Sequence, residues 1–320
     1  MLKMPRTNYN NTAGLKYHTT QETLLYASLT IGPNCIFLYI NSVLLFTLRS
    51  KPVFRETSRY ILLYNLLLVD IVYLISSALL YLFAVCRIKL TFYMCRALTL
   101  LPMLMSVISP LSLTVMSLER FVAICYPLRH TVIITVRSTG VAITLVWVTS
   151  SLSTLTQILI LIYSKIEFNL QLKDFCSKET VFLVPMSHHF DRVYSGIVFL
   201  SAGVTIICSY IGVTLVARSA STNKASARKA SQTLLLHLFQ LGLILISTLF
   251  SPIITAAATI MERSHVLRLS SLTFIFLKIL PRCLSTLIYG LRDQTIRPLL
   301  IQHLCCQWRC SFQKRSQQVL

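Results

Sequence analysis

Seven long apolar stretches constrain the fold of this chain more than any other feature. Each has about the 20 residues that a helix needs to cross about 30 Å of hydrocarbon. None shows the alternation of apolar and polar residues that is typical of strands in a membrane barrel. Because every backbone polar group must be satisfied inside lipid, the pattern predicts a bundle of seven transmembrane helices. The stretches cover residues 24–48, 60–85, 97–124, 140–163, 195–217, 233–260 and 269–291.

The composition excludes a soluble protein. Hydrophobic residues make up 55% of the chain and charged residues only 12%, which is too apolar for a soluble domain of this length. The net charge of +20 would indicate nucleic acid in a soluble protein, but here the basic residues fall in short segments between apolar stretches. We therefore expect membrane lipid around the chain and no nucleic-acid partner.

Basic residues around the first stretch predict the topology. Four follow it closely, whereas Lys16 is the nearest that precedes it, and cytoplasmic segments carry the excess of Lys and Arg. We expect an extracellular N-terminus over 1–23, a transmembrane domain over 24–291 and a cytoplasmic end over 292–320, in the plasma membrane. Asn10, followed by Asn11 and Thr12, would then be a glycosylation acceptor. The four basic residues that follow the first stretch are Arg49, Lys51, Arg55 and Arg59.

A carboxylate and a guanidinium, Glu119 and Arg120, stand side by side at the end of the third stretch. An ionisable group at membrane depth costs about 2.5 to 3.5 kcal/mol on insertion scales, so the pair must lie at the water boundary or neutralise itself. Pro127 follows, and proline lacks the N–H that the next helical turn needs. The third helix is therefore predicted to end before Pro127, with the pair near its cytoplasmic end.

Asp70 is the one carboxylate well inside any of the seven stretches. A buried carboxylate needs a partner, so it cannot face lipid. One interpretation is a cation site or polar switch on the bundle axis. The other is a structural hydrogen bond to Asn41 of the first helix, and the two are compatible.

The cysteines predict one disulfide bond outside the membrane. Cys95 precedes Arg120 by 25 residues, which is about 37 Å of helix, so the two lie on opposite sides of the membrane. Disulfides form and persist in an oxidising lumen, and Cys176 is the single cysteine of the polar segment 164–192. Cys95 and Cys176 are the expected pair, and Cys86 competes with Cys95.

The residues around Arg120 resemble the signature at the inner end of the third helix of olfactory receptors, a branch of the rhodopsin-like G-protein-coupled receptors. Glu119 and Phe121 stand where that family usually has Asp and Tyr, and Ser285-Thr286 replaces its usual Asn-Pro. Together with the single cysteine of the outer loop and the cations Lys278 and Arg282, the Ser285-Thr286 departure is more similar to the divergent odorant receptors of fish than to the mammalian groups. The resemblance covers nearly the whole chain, through Met116, Arg120, Val122, Ala123, Ile124, Cys125, Pro127, Leu128 and Arg129, and through Asn41, Leu66, Asp70, Cys95, Trp147, Ser209, Tyr210, Lys229, Ala230, Thr233, His237, Leu238, Tyr289 and Arg292.

The resemblance implies an all-α, rhodopsin-like bundle with a short amphipathic helix after the seventh span. It implies a receptor that binds a small odorant in the bundle and activates a stimulatory, olfactory-type heterotrimeric G protein, which raises cyclic AMP. We expect no cofactor, metal or enzymatic activity, since the nucleotide-binding, hydrolase and metalloprotease motifs are absent from the sequence. The alternatives are a non-olfactory rhodopsin-like receptor or a small-molecule transporter.

The resemblance also assigns functional positions. Glu119 neutralises Arg120 at rest, whereas in the active state Arg120 turns towards the G protein with Tyr210 as a new partner. Tyr289, at the close of the seventh helix, is expected to belong to the same G-protein switch. The ligand cavity is expected near Met103, Ser106, Val107, Phe199, Thr248 and Lys278.

Two cations, Lys278 and Arg282, lie inside the seventh stretch. With Ser285 and Tyr289 they follow the spacing of one helix face, which cannot face lipid. Lys278 would bind an anionic ligand, or alternatively reach the membrane surface or bond backbone carbonyls. Arg282 is predicted to pair with Asp70 in place of the sodium ion of related receptors. The expected core polar switch comprises Asn41, Asp70, Arg282 and Ser285.

Apolar residues recur at helical spacing beyond the seventh stretch, next to several arginines. Residues 294–306 are therefore predicted to form a helix along the inner membrane surface. Cys305, Cys306 and Cys310 would then be placed for S-palmitoylation. Alternatively, they are free thiols.

Overall fold

Helices form the elements that the computed structural model of this chain describes. The structure describes residues 9–86, 88–163, 185–219, 224–247, 253–254, 256–257, 260–261, 263–283 and 295–303, with the backbone alone for 9–23 and for 26, 92, 161, 217–219, 224–227, 229–230, 263–264 and 266–267. In chain order the helices are α1 (Tyr9–Ser50), α2 (Pro52–Glu56), α3 (Ser58–Val85), α4 (Phe92–Cys125), α5 (His130–Ile133), α6 (Val136–Tyr163), α7 (Pro185–Ser219), α8 (Lys224–Ser247) and α9 (Arg263–Thr273). A π-helix (Phe274–Ile279) continues α9, and a further helix covers 296–303.

Five of the described helices are long and apolar enough to cross a membrane. The predicted class, an all-helical membrane protein, is therefore confirmed. The sixth predicted stretch falls on α8, whose apolar part is shorter, and the seventh begins within α9. The five spans are Ala27–Ser50, Ser58–Val85, Tyr93–Cys125, Val136–Ile160 and Pro185–Val216.

Helix α4 lies in contact with α3, α6, α7 and α8 and so positions most of the bundle. Its Leu113 belongs to the main apolar core, together with Leu66 of α3, Ile206 of α7 and Ile244 of α8. Lipid tails are as apolar as these side chains, so the hydrophobic effect does not drive the helices together within the membrane. Close van der Waals packing of this kind holds them together instead. Helix α6 exposes a row of large apolar side chains, as expected of a helix that faces lipid: Leu145, Leu152, Leu155, Leu159 and Ile162.

The ends of α4 follow local capping rules. The Thr91 side chain accepts a hydrogen bond from the Met94 N–H at 3.5 Å, so the helix begins at Phe92, earlier than the apolar stretch indicates. Cys95 therefore lies in the first turn of α4 rather than before it. At the other end the Tyr126 N–H donates to the carbonyl of Val122 at 3.0 Å. The helix stops there, before Pro127, as predicted.

The seventh helix of the predicted bundle, which is not α7, comprises α9, the π-helix and residues 280–283. Its geometry changes ahead of Pro281. Across the π-helix the N–H of Leu280 donates to the carbonyl of Ile275, five residues back. A proline inside an α-helix lacks an N–H and its ring clashes with the carbonyl four residues back. A wider turn before Pro281 relieves that conflict. The helix thus carries a proline-associated distortion although the usual Asn-Pro is absent further along.

The helix over 296–303 falls within the predicted tail helix and docks on the bundle. Ile296 is 0% and Leu300 2% exposed, and both join the main apolar core. His303 Nδ1 lies 2.8 Å from the Thr47 hydroxyl of α1. Because Thr47 already donates to the carbonyl of Val43, its oxygen accepts from the His303 ring. Side-chain packing and this bond fix the helix against the end of α1. Cys305, Cys306 and Cys310 lie outside the described residues.

Candidate functional site

A buried ion pair joins α3 to the seventh helix. Arg282 Nη1 lies 2.6 Å from Asp70 Oδ1, and the two residues are 3% and 0% exposed. Arg282 also donates to the Ser109 hydroxyl of α4, and that hydroxyl lies 3.5 Å from the Asp70 carboxylate. The predicted contact between Asp70 and Arg282 is therefore present. Asn41 is fully buried, and Ser285 lies outside the described residues, so the switch role of this group stays a prediction.

The ring of Tyr73 lies next to both cations of the seventh helix. The Arg282 guanidinium carbon is 4.2 Å from the ring centroid and the Lys278 ammonium 5.8 Å. Cations at such distances from an aromatic face are attracted by its negative face. Tyr73 is only 3% exposed, so Lys278 extends towards the bundle interior. Its contact with a ligand stays a prediction.

A polar link ties α3, α4 and α6 together. The Trp147 indole N–H donates to Asn65 Oδ1 at 2.9 Å, and Asn65 Nδ2 donates to the Ser112 hydroxyl at 3.2 Å. Asn65 lies in the second apolar stretch and Trp147 in the fourth. Their pairing depends on how the helices are rotated, which spacing along one chain does not reveal.

Glu119 and Arg120, near the end of α4, form an ion pair with each other. Arg120 Nε lies 3.1 Å from Glu119 Oε2, and the two side chains are 19% and 9% exposed. His130 of α5 approaches the other carboxylate oxygen, with Nε2 at 3.9 Å from Oε1. Glu119 is thus in position to neutralise Arg120, as the sequence predicts for the resting state. The participation of His130 was not predicted.

Next to this pair, α4, α7 and α8 meet in a small apolar cluster. Tyr210 packs there with Phe121 around the buried Val213 and Leu234. The phenol therefore lies beside the third-helix signature, where the G-protein switch is predicted. Tyr289 lies outside the described residues.

Helices α7 and α8 also approach each other through small polar groups. The hydroxyls of Thr214 and Ser231 lie 3.4 Å apart. Gly212 permits the close approach of α4 and α7, since a Cβ at this position would lie 2.5 Å from Cε2 of Phe121. The ends of the three helices are therefore held close together in this structure.

Four of the six residues predicted to line a ligand cavity lie on α4 and α7. Met103, Ser106 and Val107 are half-buried, and the Ser106 hydroxyl donates to the Met103 carbonyl at 2.6 Å. Phe199 of α7 packs against the main apolar core. Thr248 lies outside the described residues. The described residues thus place four of the positions on two helices that pack together.

Cys95 is buried and disulfide-bonded, whereas Cys86 is free. This excludes Cys86, the competing candidate. Cys176 lies outside the described residues, so its pairing with Cys95 stays a prediction. The side chain of Asn10 is likewise not described, and its glycosylation stays a prediction.

Comparison with known proteins decides the family. Residues 40–289 match the family described as 7 transmembrane receptor (rhodopsin family). The chain belongs to this receptor family. Odorant receptor 131-2 of Danio rerio is 30% identical over 291 residues, which cover 90% of this chain and 87% of the relative. Olfactory receptor 2A12 of Homo sapiens is 27% identical over 288 residues, 87% of both chains. Olfactory receptor 7A17 of Homo sapiens is 30% identical over 196 residues, 59% of this chain and 61% of the relative.

These matches confirm the resemblance to odorant receptors and the seven-helix, rhodopsin-like architecture. The rhodopsin family is one of membrane receptors rather than enzymes, and its members in general bind a ligand and a G protein. The matched range starts in α1 and runs past the buried Arg282. It therefore includes the Asp70 pair, the disulfide-bonded Cys95 and the Arg120 pair.

Proposed function

We propose that this chain is an odorant receptor that couples to a heterotrimeric G protein. The observation that carries the proposal is the similarity to an odorant receptor over 90% of the chain. The receptor lies in the plasma membrane with its N-terminus outside and the Arg120 end of α4 in the cytoplasm. A small odorant binds inside the bundle towards the Cys95 end, near Met103 and Ser106.

Activation is a change between two states of the helix ends near Arg120. At rest the 3.1 Å contact with Glu119 neutralises Arg120, and the cluster around Tyr210 keeps α7 and α8 together. In the active state these two helices separate, the 3.4 Å contact between Thr214 and Ser231 is lost, and Arg120 turns towards the G protein.

The agonist acts by binding the active state more tightly than the resting state. A full shift from 1:99 to 99:1 needs about 5.5 kcal/mol of such preference. The G protein is of the stimulatory, olfactory type, so activation raises cyclic AMP. The core group of Asp70 and Arg282 takes the place of a sodium ion in coupling the two ends of the bundle.

Cyclic AMP production in cells that contain a stimulatory G protein tests this function. The wild type and Arg120→Ala are compared over a panel of acidic, neutral and basic odorants, with surface expression measured for each. Arg137→Ala is the matched control, because Arg137 is an exposed arginine at the start of α6. We expect responses from the wild type and the control and none from Arg120→Ala. Odorant uptake without any cyclic AMP response would instead favour a transporter.

A further inference from the structure

A buried arginine at the Cys95 end of α4 carries information about the ligand. Arg96 is 8% exposed. Its terminal nitrogen Nη2 is buried and has no hydrogen-bond partner in the described part of the structure. A guanidinium stays charged in proteins and carries five N–H donors. A buried charge of this kind is costly unless an anion complements it.

Arg96 lies on the inner face of α4. Residues seven apart in an α-helix are only about 20° apart around its axis, so Arg96 shares a face with Met103. Met94 and Leu101, which are 56% and 41% exposed, lie about 140–160° away from Arg96 on the same helix. An arginine near a membrane surface usually extends to the lipid head groups. The burial of Arg96 places it within the bundle instead.

The polar side chains near Arg96 on α4 supply no negative charge. Thr99 is buried, and its hydroxyl donates to the carbonyl of Cys95 at 2.7 Å. Ser106, further along the same side, donates to the carbonyl of Met103 at 2.6 Å. Among the described carboxylates, Asp70 pairs with Arg282 and Glu119 pairs with Arg120. The buried Nη2 of Arg96, which has no hydrogen-bond partner in the described part of the structure, is therefore a suitable site for the anion of a ligand.

We propose that Arg96 binds the carboxylate of the odorant, so that this receptor recognises organic acids in their ionised form. The inference rests on the proposed function and adds the class of ligand and the residue that recognises it. A guanidinium forms two parallel hydrogen bonds with a carboxylate, which a neutral ester cannot reproduce. Met103 lies about 10 Å further along the helix axis, a span that the hydrocarbon part of a medium-chain acid covers.

This assignment separates Arg96 from Lys278. Lys278 lies beside Tyr73 and one turn from Arg282, in the same buried group as Asp70. Arg96 stands near the entrance of the bundle, next to the disulfide-bonded Cys95. Recognition of the acid by Arg96 requires no change in the Asp70 pair.

Ligand binding to the purified receptor in lipid nanodiscs tests the inference. Octanoate and methyl octanoate are the probes, since they differ in charge but share most of the hydrocarbon chain. Arg96→Gln should raise the Kd of octanoate at least about tenfold, which corresponds to about 1.4 kcal/mol, and leave that of methyl octanoate within about twofold. Arg96→Lys should give an intermediate loss, because a lysine is a point charge without the planar fork. Arg137→Gln is the control and should leave both values unchanged.

Equal weakening of both probes, or unchanged octanoate binding, would show that Arg96 is structural and overturn the inference. If Arg96→Gln does not fold, the wild type and Arg96→Lys decide. The wild type must prefer octanoate to methyl octanoate, and Arg96→Lys must reduce that preference. Cyclic AMP measured in parallel separates the two proposals. Arg96-dependent octanoate binding without signalling contradicts the proposed function alone, whereas odorant-driven signalling with no acid preference contradicts the inference alone.

Discussion

Replacing both members of the Asp70–Arg282 pair should destabilise the receptor by clearly less than the sum of the two single replacements. The two residues are 0% and 3% exposed and their charged atoms lie 2.6 Å apart. Loss of one partner of a buried ion pair costs about 3 to 5 kcal/mol, because the other charge stays buried without its complement. Arg282→Gln should lie at the upper end of this range, since the fully buried Asp70 carboxylate then loses its charged partner.

Asp70→Asn should lie at the lower end. Arg282 would keep its bond to Ser109 and its contact with the Tyr73 ring at 4.2 Å. In the double variant, Asn and Gln are neutral and able to bond each other, so its loss should be well below the sum of the two single losses. We expect a coupling energy towards the upper end of the 0.5 to 3 kcal/mol range that is typical of residues in contact.

Denaturant titration of the purified variants in lipid measures these free energies of unfolding. A loss of 3 kcal/mol lowers the ratio of folded to unfolded protein by about 150-fold, since each 1.4 kcal/mol is a factor of ten. Arg137→Gln, an exposed position, serves as the charge-removal control and should change little. Single losses below about 1 kcal/mol that simply add in the double variant would refute the reasoning.

If Arg282 replaces a sodium ion, agonist affinity of the wild type should be the same with and without about 0.15 M sodium, and Arg282→Ala should acquire a sodium dependence. Glu119→Gln removes a charge-assisted contact of about 1.5 to 3 kcal/mol, so basal cyclic AMP should rise about tenfold at equal surface expression; an unchanged basal level would contradict the lock. Gly212→Ala places a Cβ 2.5 Å from the Phe121 ring and should lower the unfolding free energy by about 1 to 3 kcal/mol. Phe121→Leu in the same chain should restore most of it, and failure to do so would contradict the steric explanation.

Much of the fold follows from the sequence, because lipid permits few solutions. A charge inside an apolar stretch must find a partner on another helix, and Asp70 and Arg282 are deep in their stretches. Their contact was therefore predictable once the resemblance placed the second and seventh helices side by side. The end of α4 before Pro127 was predictable from the chemistry of proline alone.

Contacts that depend on helix rotation were not predictable in the same way. Asn65 and Trp147 are each visible as unusual residues, but their hydrogen bond across α3 and α6 requires the relative rotation of both helices. The close fit of Gly212 against Phe121 has the same origin. The burial of Arg96 was equally hidden, since an arginine beside Cys95 at a helix start is usually expected at the membrane surface.

The sequence contains one indication of the π-helix in the seventh helix, although it was not used as a prediction. Pro281 inside an apolar stretch predicts a break in regular α-helical hydrogen bonding. Lys278 lies near the end of the π-helix and Arg282 lies beyond it, and both cations lie near Tyr73. Ser285 and Tyr289 lie beyond the described part of this helix, so their place on the same face stays a prediction.

Nucleotide exchange on a purified stimulatory, olfactory-type G protein tests the central claim most directly. The receptor is reconstituted in lipid, and exchange is measured with and without an odorant that binds it, for the wild type, Arg120→Ala and Arg137→Ala. We expect odorant-dependent exchange by the wild type and Arg137→Ala, and none by Arg120→Ala although that variant still binds the odorant. Odorant-dependent exchange that persists in Arg120→Ala would contradict the proposed switch. An odorant that binds without accelerating exchange on any heterotrimeric G protein would contradict the receptor function itself.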